Sequence, residues 1–363
     1  MHIPDGYLSP ETCGVLYLAA APFWLIALRR VKAMLSTQMV PLLSVFAAFS
    51  FVIMMFNIPL PGGTTGHAVG VGLAAIVLGP WGSMLAISVA LLIQALFFGD
   101  GGITAFGANS FNMAIVGSLT ASMVYRLVAT QAAISSVRRV VAASLAGYAA
   151  INAAAFCASI EFGIQPLLFH DASGAPLYAP YPLGIAIPAM MIGHLTVAGF
   201  AEAVVAGGVV AYLQRSSPSF LKFTAPDAPS IDGQARGSMR PLWVGLAVLM
   251  ILTPLGLLAA GTAWGEWSAR DLADPVVREQ IAAASRNQAP PVAPPTGLAR
   301  LADVWTAPFP DYAPAFLTSP TFGYILSAMF GSGLIILVFM IVGWIARSFG
   351  RKGDAPPAGG RID

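Results

Sequence analysis

Nine apolar runs govern what this chain can fold into. They occupy residues 11–28, 40–56, 66–79, 81–98, 109–129, 140–160, 183–213, 241–263 and 322–346. Most approach the roughly 20 residues that carry an α-helix across a hydrocarbon layer. Backbone amides find no water there, so such runs bond internally as helices. The expected fold class is all-α, a polytopic membrane protein. Composition agrees, because 57% of residues are apolar and only 9% are charged, against about 25% charged in soluble domains. A soluble fold could not cover its surface with so few charges, so the lipid bilayer is a required partner. The net charge of +2 gives no reason to expect nucleic acid.

The third run is short, and Gly79-Pro80 separates it from the fourth, so the two could instead form one long broken helix. Basic residues arbitrate, because Lys and Arg collect in cytoplasmic loops. Nine spans with an outer N-terminus place Arg29, Arg30, Lys32, Arg126, Arg138, Arg139, Arg215, Lys222, Arg236, Arg240, Arg347, Arg351, Lys352 and Arg361 inside, which is 14 of the 18 basic residues. The other four, Arg270, Arg278, Arg286 and Arg300, share one long outer segment, where the rule is weak. Merging the third and fourth runs would put the basic cluster at 126–139 outside.

The expected organisation is a seven-helix body over 1–213 and a polar cytoplasmic linker over 214–240. A two-helix hairpin follows over 241–346 with its outer segment at 264–321, then a cytoplasmic tail over 347–363 that looks disordered from about 349. QAPPVAPPT in the outer segment favours polyproline II structure. No basic n-region precedes the first run, so no cleavable leader is expected and Met1 should stay in place. Cys13 and Cys157 stand alone in apolar runs and read as buried thiols.

The outer loops of the body are expected at 1–10, 57–66, 99–108 and 161–182, and the scarce polar residues gather there. His2, Asp5, Glu11, His67, Asp100, Glu161 and His170 fall on or near this face, so it carries three of the four histidines. The N-terminus is the most specific feature. A free α-amino group, the amide nitrogen of residue 2 and the His2 imidazole lie within chelating reach of one ion. A second imidazole would complete a planar four-nitrogen set, which suits Ni(II) and Cu(II). His67, in the glycine-rich PLPGGTTGHAVG, is the natural fourth ligand. Met1, His2 and His67 are therefore the candidate metal ligands.

Other polar residues carry less. Asn109, in FFGDGGITAFGANSFNMA beside Asp100, is expected to cap a helix rather than to order a ligand shell. Glu202 is an intramembrane carboxylate expected far from the outer loops, in a packing or partner-contact role. His194 should be hydrogen-bonded within the bundle and His170 solvated. Small residues crowd the third, sixth and seventh runs, to pack helices closely or to face another membrane subunit. There is no Walker A motif, HExxH motif or paired intramembrane acid, so the chain has neither an ATPase site nor an evident catalytic one.

The opening Met-His-Ile-Pro-Asp-Gly-Tyr-Leu, GGTTGHAVG, FGDGGITAFGANSFNMA and GHLTVAGFAEAVV resemble the nickel/cobalt substrate-binding (S) components of energy-coupling-factor transporters, the NikM/CbiM family. This resemblance covers about residues 1–213. It implies a seven-helix membrane body whose N-terminus tucks into the outer side. It implies metal ligation by the Met1 amine, the His2 amide and imidazole, and His67. It also implies a membrane T component and two cytoplasmic ABC ATPase subunits as partners in a bacterial inner membrane. The C-terminal hairpin resembles the N component of these systems, fused here to the M body. Its Pro295-Thr296-Gly297-Leu298-Ala299 departs at two positions from the usual PDGLE. The family's N part is thought to help load metal, and contact between its outer loop and the loops around Met1 and His67 is expected. Nickel is the expected substrate and cobalt, for cobalamin synthesis, the alternative; no organic cofactor is implied. A stand-alone metal permease is the competing function, and a metal-dependent membrane enzyme has no supporting feature.

Overall fold

The computed structural model describes residues 1–34, 39–229 and 238–350. Among them, seven helices are long and apolar enough to cross a membrane, and one further apolar helix is shorter. The body is built from α1 (Pro10–Met34), the shorter α2 (Met39–Met54), α3 (Val71–Phe98), α4 (Phe106–Ala129), α5 (Val137–Leu168) and α6 (Leu183–Ser216). A small antiparallel hairpin, β1 (Ile58–Leu60) and β2 (Thr64–Gly66), links α2 to α3. α7 (Arg240–Leu258) then leads into an outer segment with three short helices, α8 (Ala269–Ala273), α9 (Pro275–Ala284) and α10 (Thr296–Leu301). The last helix, α11 (Pro320–Gly350), returns beside α2 and α7. Arg236 and the tail from 351 on, with Arg351, Lys352 and Arg361, lie outside the described residues.

α3 is not one straight rod. Gly79 has φ 73° and ψ 169°, which no helix contains, and Pro80 follows it. Proline lacks the amide hydrogen that would close the preceding turn and disfavours helical backbone before it. A straight helix from Val71 to Phe98 would separate its ends by about 40 Å. Instead His67 and Asp100, just beyond the two ends, both reach His2. The two arms therefore run in opposite directions about Gly79. The turn lies against Thr224, whose hydroxyl donates to the Ile76 carbonyl at 2.5 Å.

The first arm, Val71 to Leu78, rises only about 12 Å. The loop carrying His67 must therefore descend between the helices to meet it. Small residues make room. A Cβ on Gly72 would sit 2.5 Å from the Gly147 Cα, and one on Gly147 would sit 3.0 Å from the Ala206 Cβ. At these positions the small faces of α3, α5 and α6 pack against one another. Large apolar side chains point outward instead, among them Val15, Leu18, Leu25, Phe200 and Val204. α5 continues to Leu168, so Glu161 lies within a helix and not in the outer loop expected there. α11 runs to Gly350, so the segment expected as tail begins helical.

Candidate metal centre

The first nine residues form a non-helical arm, turning at Asp5-Gly6, that is threaded into the body. Asn109 clamps it: the Ile3 amide donates to Asn109 Oδ1 at 2.8 Å, and Asn109 Nδ2 donates to the Ile3 carbonyl at 3.0 Å. The Gly102 amide donates to the same carbonyl at 2.8 Å. Asp5 accepts from the amides of Ile103 and Thr104 at 3.1 and 2.7 Å, and from the Thr104 hydroxyl. The Ser9 amide donates to Gln165 Oε1 at 2.9 Å. The helix cap expected of Asn109 is therefore not what it does. Its primary amide, with one donor side and one acceptor side, matches the peptide groups of an extended strand, and Ile3 supplies them.

These bonds place Met1, His2 and His67 together in the interior, with residue exposures of 4%, 1% and 7%. The His2 and His67 rings lie 5.0 Å apart and are tilted by 30°. His67 Nδ1 is 3.1 Å from the Ala68 carbonyl. That contact fits an Nδ1–H donor and leaves the Nε2 lone pair available. Burial, aided by His2 and the N-terminal amine, pushes the His67 pKa down to about 3, so the ring is neutral at physiological pH. His2 Nδ1 stands 2.7 Å from Asp100 Oδ1, an ion-pair contact without hydrogen-bond alignment, and Nε2 has no hydrogen-bond partner. Burial alone would raise the Asp100 carboxyl, but the His2 ring beside it and then His67 and Tyr312 hold it below the usual range. The Met1 amine donates to Glu266 Oε1 at 3.2 Å.

Among the described residues, no three His, Cys, Asp or Glu side chains gather as a metal site. A nitrogen set drawn partly from the chain terminus falls outside any count of side chains. The chemistry here is two imidazoles, an amine and the amide between residues 1 and 2 in one buried place.

Glu202 is not remote from this centre. Its carboxylate accepts from the amides of Val69, Gly70 and Gly72 at 2.7, 2.9 and 3.1 Å. The position in α6 was legible, but the descent of the His67 loop to that depth was not. The carboxylate holds the start of α3, where free amides and the helix dipole favour negative charge. The other two histidines stand apart. His194 Nδ1 is 2.8 Å from the Met190 carbonyl inside the bundle, and His170 is exposed beside Asp171. Cys13 is buried, Cys157 is half-buried and both are free thiols.

The outer segment of the C-terminal hairpin closes over the arm. The Tyr7 hydroxyl donates to the Trp267 carbonyl at 2.6 Å, and Thr65 bridges in parallel to Ala263. The Tyr312 hydroxyl donates to Asp100 Oδ2 at 2.5 Å, and Gln94 Nε2 donates to both, at 3.0 Å to the carboxylate and 2.8 Å to the phenol. None of Glu266, Tyr312 and Gln94 was picked out from the sequence. Glu266 lies in WGEW, where two flanking tryptophans are its only local signal.

A family model described as the cobalt uptake substrate-specific transmembrane region, CbiM, matches residues 2–220. The chain belongs to the CbiM family. A PDGLE domain matches residues 239–348 of the same chain. The fused nickel transport protein NikMN of Rhodobacter capsulatus is 58% identical over 337 residues, covering 93% of this chain and 95% of that protein. The probable fused nickel transport protein LarMN of Lactiplantibacillus plantarum is 43% identical over 345 residues, covering 94% and 96%. The cobalt transport protein CbiM of Geobacter sulfurreducens is 32% identical over 288 residues, covering 78% of each. A crystal structure of a transition metal transporter is 50% identical with a TM-score of 0.57, covering 62% of this chain and 99% of that one. A truncated transition metal transporter is 52% identical with a TM-score of 0.56, covering 59% and 98%. This CbiM-family chain is thus a multi-pass membrane protein of a nickel/cobalt transport family. Its departures from PDGLE, Thr296 and Ala299, are exposed, whereas Pro295, Gly297 and Leu298 are buried. The Leu298 amide donates to the Leu177 carbonyl of the body at 3.0 Å.

Proposed function

We propose that this chain captures nickel ions on the outer face of a bacterial inner membrane, as the substrate-binding component of an energy-coupling-factor importer. The observation that carries the proposal is the buried meeting of the Met1 amine, His2 and His67. Binding through the amine and the deprotonated amide closes a five-membered ring, and binding through that amide and His2 Nδ1 closes a six-membered one. His67 Nε2 supplies the fourth nitrogen. This planar donor set suits nickel, and the two fused relatives are named for nickel transport. Cobalt is the second reading, supported by the family description and by the Geobacter relative.

The chain has no Walker A motif, so energy must come from elsewhere. A membrane T component and cytoplasmic ABC ATPase subunits are the proposed partners. The proposed orientation places Met1 outside and the 214–240 linker with the C-terminal tail inside, in accord with the basic residues. The ligand set fills a coordination plane and leaves no evident position for a reacting substrate, which supports transport over catalysis.

The test is nickel titration of two detergent-solubilised full chains with C-terminal tags. One begins at Met1 and the other carries one residue before it, which converts the amine to an amide. Binding by the first alone is expected. Equal binding would move the metal elsewhere and overturn the ligand assignment. Competition by cobalt in the same titration ranks the two metals. Metal accumulation by cells expressing this chain alone, without any ATPase, would favour a stand-alone permease instead.

A further inference from the structure

We infer that Glu266, carried by the C-terminal hairpin, is a positioning residue of the metal centre that holds the chelating Met1 amine in both the metal-free and the metal-loaded protein. The inference deepens the function just proposed and rests on it.

Glu266 is fixed from both sides. Three residues before it, Ala263 bridges to Thr65 in the strand that leads to His67. The Glu266 amide donates to the Ala263 carbonyl at 3.0 Å, and the next residue, Trp267, takes the Tyr7 hydroxyl on its carbonyl. Trp264 donates its indole N–H to Ser285 at 3.1 Å and packs edge-on against Phe162 of α5. The carboxylate is thus presented by backbone anchored on the same arm and strand that carry the ligands. Its partner is a terminal amine whose side chain is 1% exposed.

The two carboxylates at the centre meet different nitrogens, and this separates their roles. An ammonium group has three N–H bonds. Coordination uses one lone pair and removes one proton, so the bound amine keeps two N–H bonds. One of these can still donate to Glu266. An imidazole nitrogen that binds metal keeps no hydrogen, so Asp100 loses its contact with His2 Nδ1 when the chelate closes. Tyr312 and Gln94 remain as donors to Asp100. Glu266 therefore acts on the loaded site, by fixing the rotation of the amine about its Cα–N bond and pairing a buried N–H.

The experiment is nickel titration of the full chain with a native Met1, comparing wild type with Glu266→Ala, Glu266→Gln and Glu266→Asp. The exposed Glu279→Ala serves as control. Glu266→Ala should weaken nickel binding about tenfold, because the amine, no longer held in the chelating orientation beforehand, must be ordered as the metal binds. Glu266→Gln keeps an acceptor at the same reach and should bind within about threefold of wild type. Glu266→Asp keeps the charge but withdraws it by one methylene, and should fall between wild type and the alanine variant. The visible absorption of bound nickel should stay unchanged in all three, because no ligand is replaced, whereas His67→Ala should change it. Wild-type binding with an unaffected Glu266→Ala would overturn the inference alone. Loss in Glu266→Gln with retention in Glu266→Asp would also overturn it, by showing that charge and not the hydrogen bond matters. Absence of nickel binding by wild type, or an unaffected His67→Ala, would instead overturn the underlying function. Should Glu266→Ala fail to fold, the order of the glutamine and aspartate variants still decides.

Discussion

At the scale of single residues, His67 is tuned by burial more than by charge. Its neutral ring has no proton to lose if metal binds there. Replacing it should be severe. Loss of an outer partner of a metal ligand already costs about 10–100-fold in affinity, so His67→Ala should weaken nickel binding by more than about a hundredfold in titration. The same burial has a stability consequence. The folded pKa of about 3 lies below the ordinary histidine value near 6.5. Between those values the unfolded chain takes up a proton that the folded chain refuses. Stability should therefore fall as pH drops from about 6.5 toward 3 and should level off below that. His67→Gln should flatten this part of the melting-temperature profile of the metal-free protein; a profile identical to wild type would assign the acid sensitivity to other groups. The three proposed ligands were legible as candidates, because a terminal Met-His pair and one histidine among glycines are local patterns, and the structure brings the three together. Asn109 was misread because a side chain's partner 106 residues away leaves no trace in its own neighbourhood.

At the scale of elements, the decisive feature is the reversal at Gly79. The sequence marks it with Gly79-Pro80 and two short apolar runs, so both arms were legible. What the sequence leaves open is how deeply the first arm starts, and this is why Glu202 was placed too far from the centre. A short arm demands a descending loop, and the loop's free amides then need an acceptor at that depth. Glu202 supplies it to three of them. Glu202→Gln replaces one acceptor oxygen with an NH2 group that meets an amide hydrogen. It should weaken nickel binding through displacement of His67 and leave Glu266 in place. Nickel titration checks the first point, and unchanged cross-linking of a Thr65→Cys, Ala263→Cys pair, which joins the body to the segment carrying Glu266, checks the second. Gly79→Ala tests the reversal itself. Its φ of 73° with ψ of 169° is accessible to glycine and strained for alanine by about 1–3 kcal/mol. A lowered melting temperature is the expected outcome, and an unchanged one would mean that the turn tolerates a side chain.

At the scale of the whole molecule, the body and the hairpin meet around the candidate site. The apolar runs announced two helices after the linker, but nothing local announced that Glu266, Trp267 and Tyr312 would reach the N-terminal arm. The resemblance to an N component raised that expectation, and the contacts give it residues. Buried Gly297 and Leu298 sit against Leu177 and Gly6, while the two departures from PDGLE face outward, so the docking surface is kept where it touches. If the hairpin holds the chelating amine throughout, it must stay docked when metal is bound. The parallel bridge between Thr65 and Ala263 offers a direct probe. Bridged residues lie within the Cα separation of about 4.4–6.8 Å that a disulfide spans. Thr65→Cys with Ala263→Cys should therefore cross-link under mild oxidation with and without nickel. The native Cys13 is buried and Cys157 half-buried, so single-cysteine controls resolve their background. The cross-linked protein should bind nickel with an affinity close to that of the reduced form. Efficient cross-linking with lost binding would show instead that the hairpin has to withdraw before metal can enter. The site would then be assembled by the hairpin's movement and not by its presence.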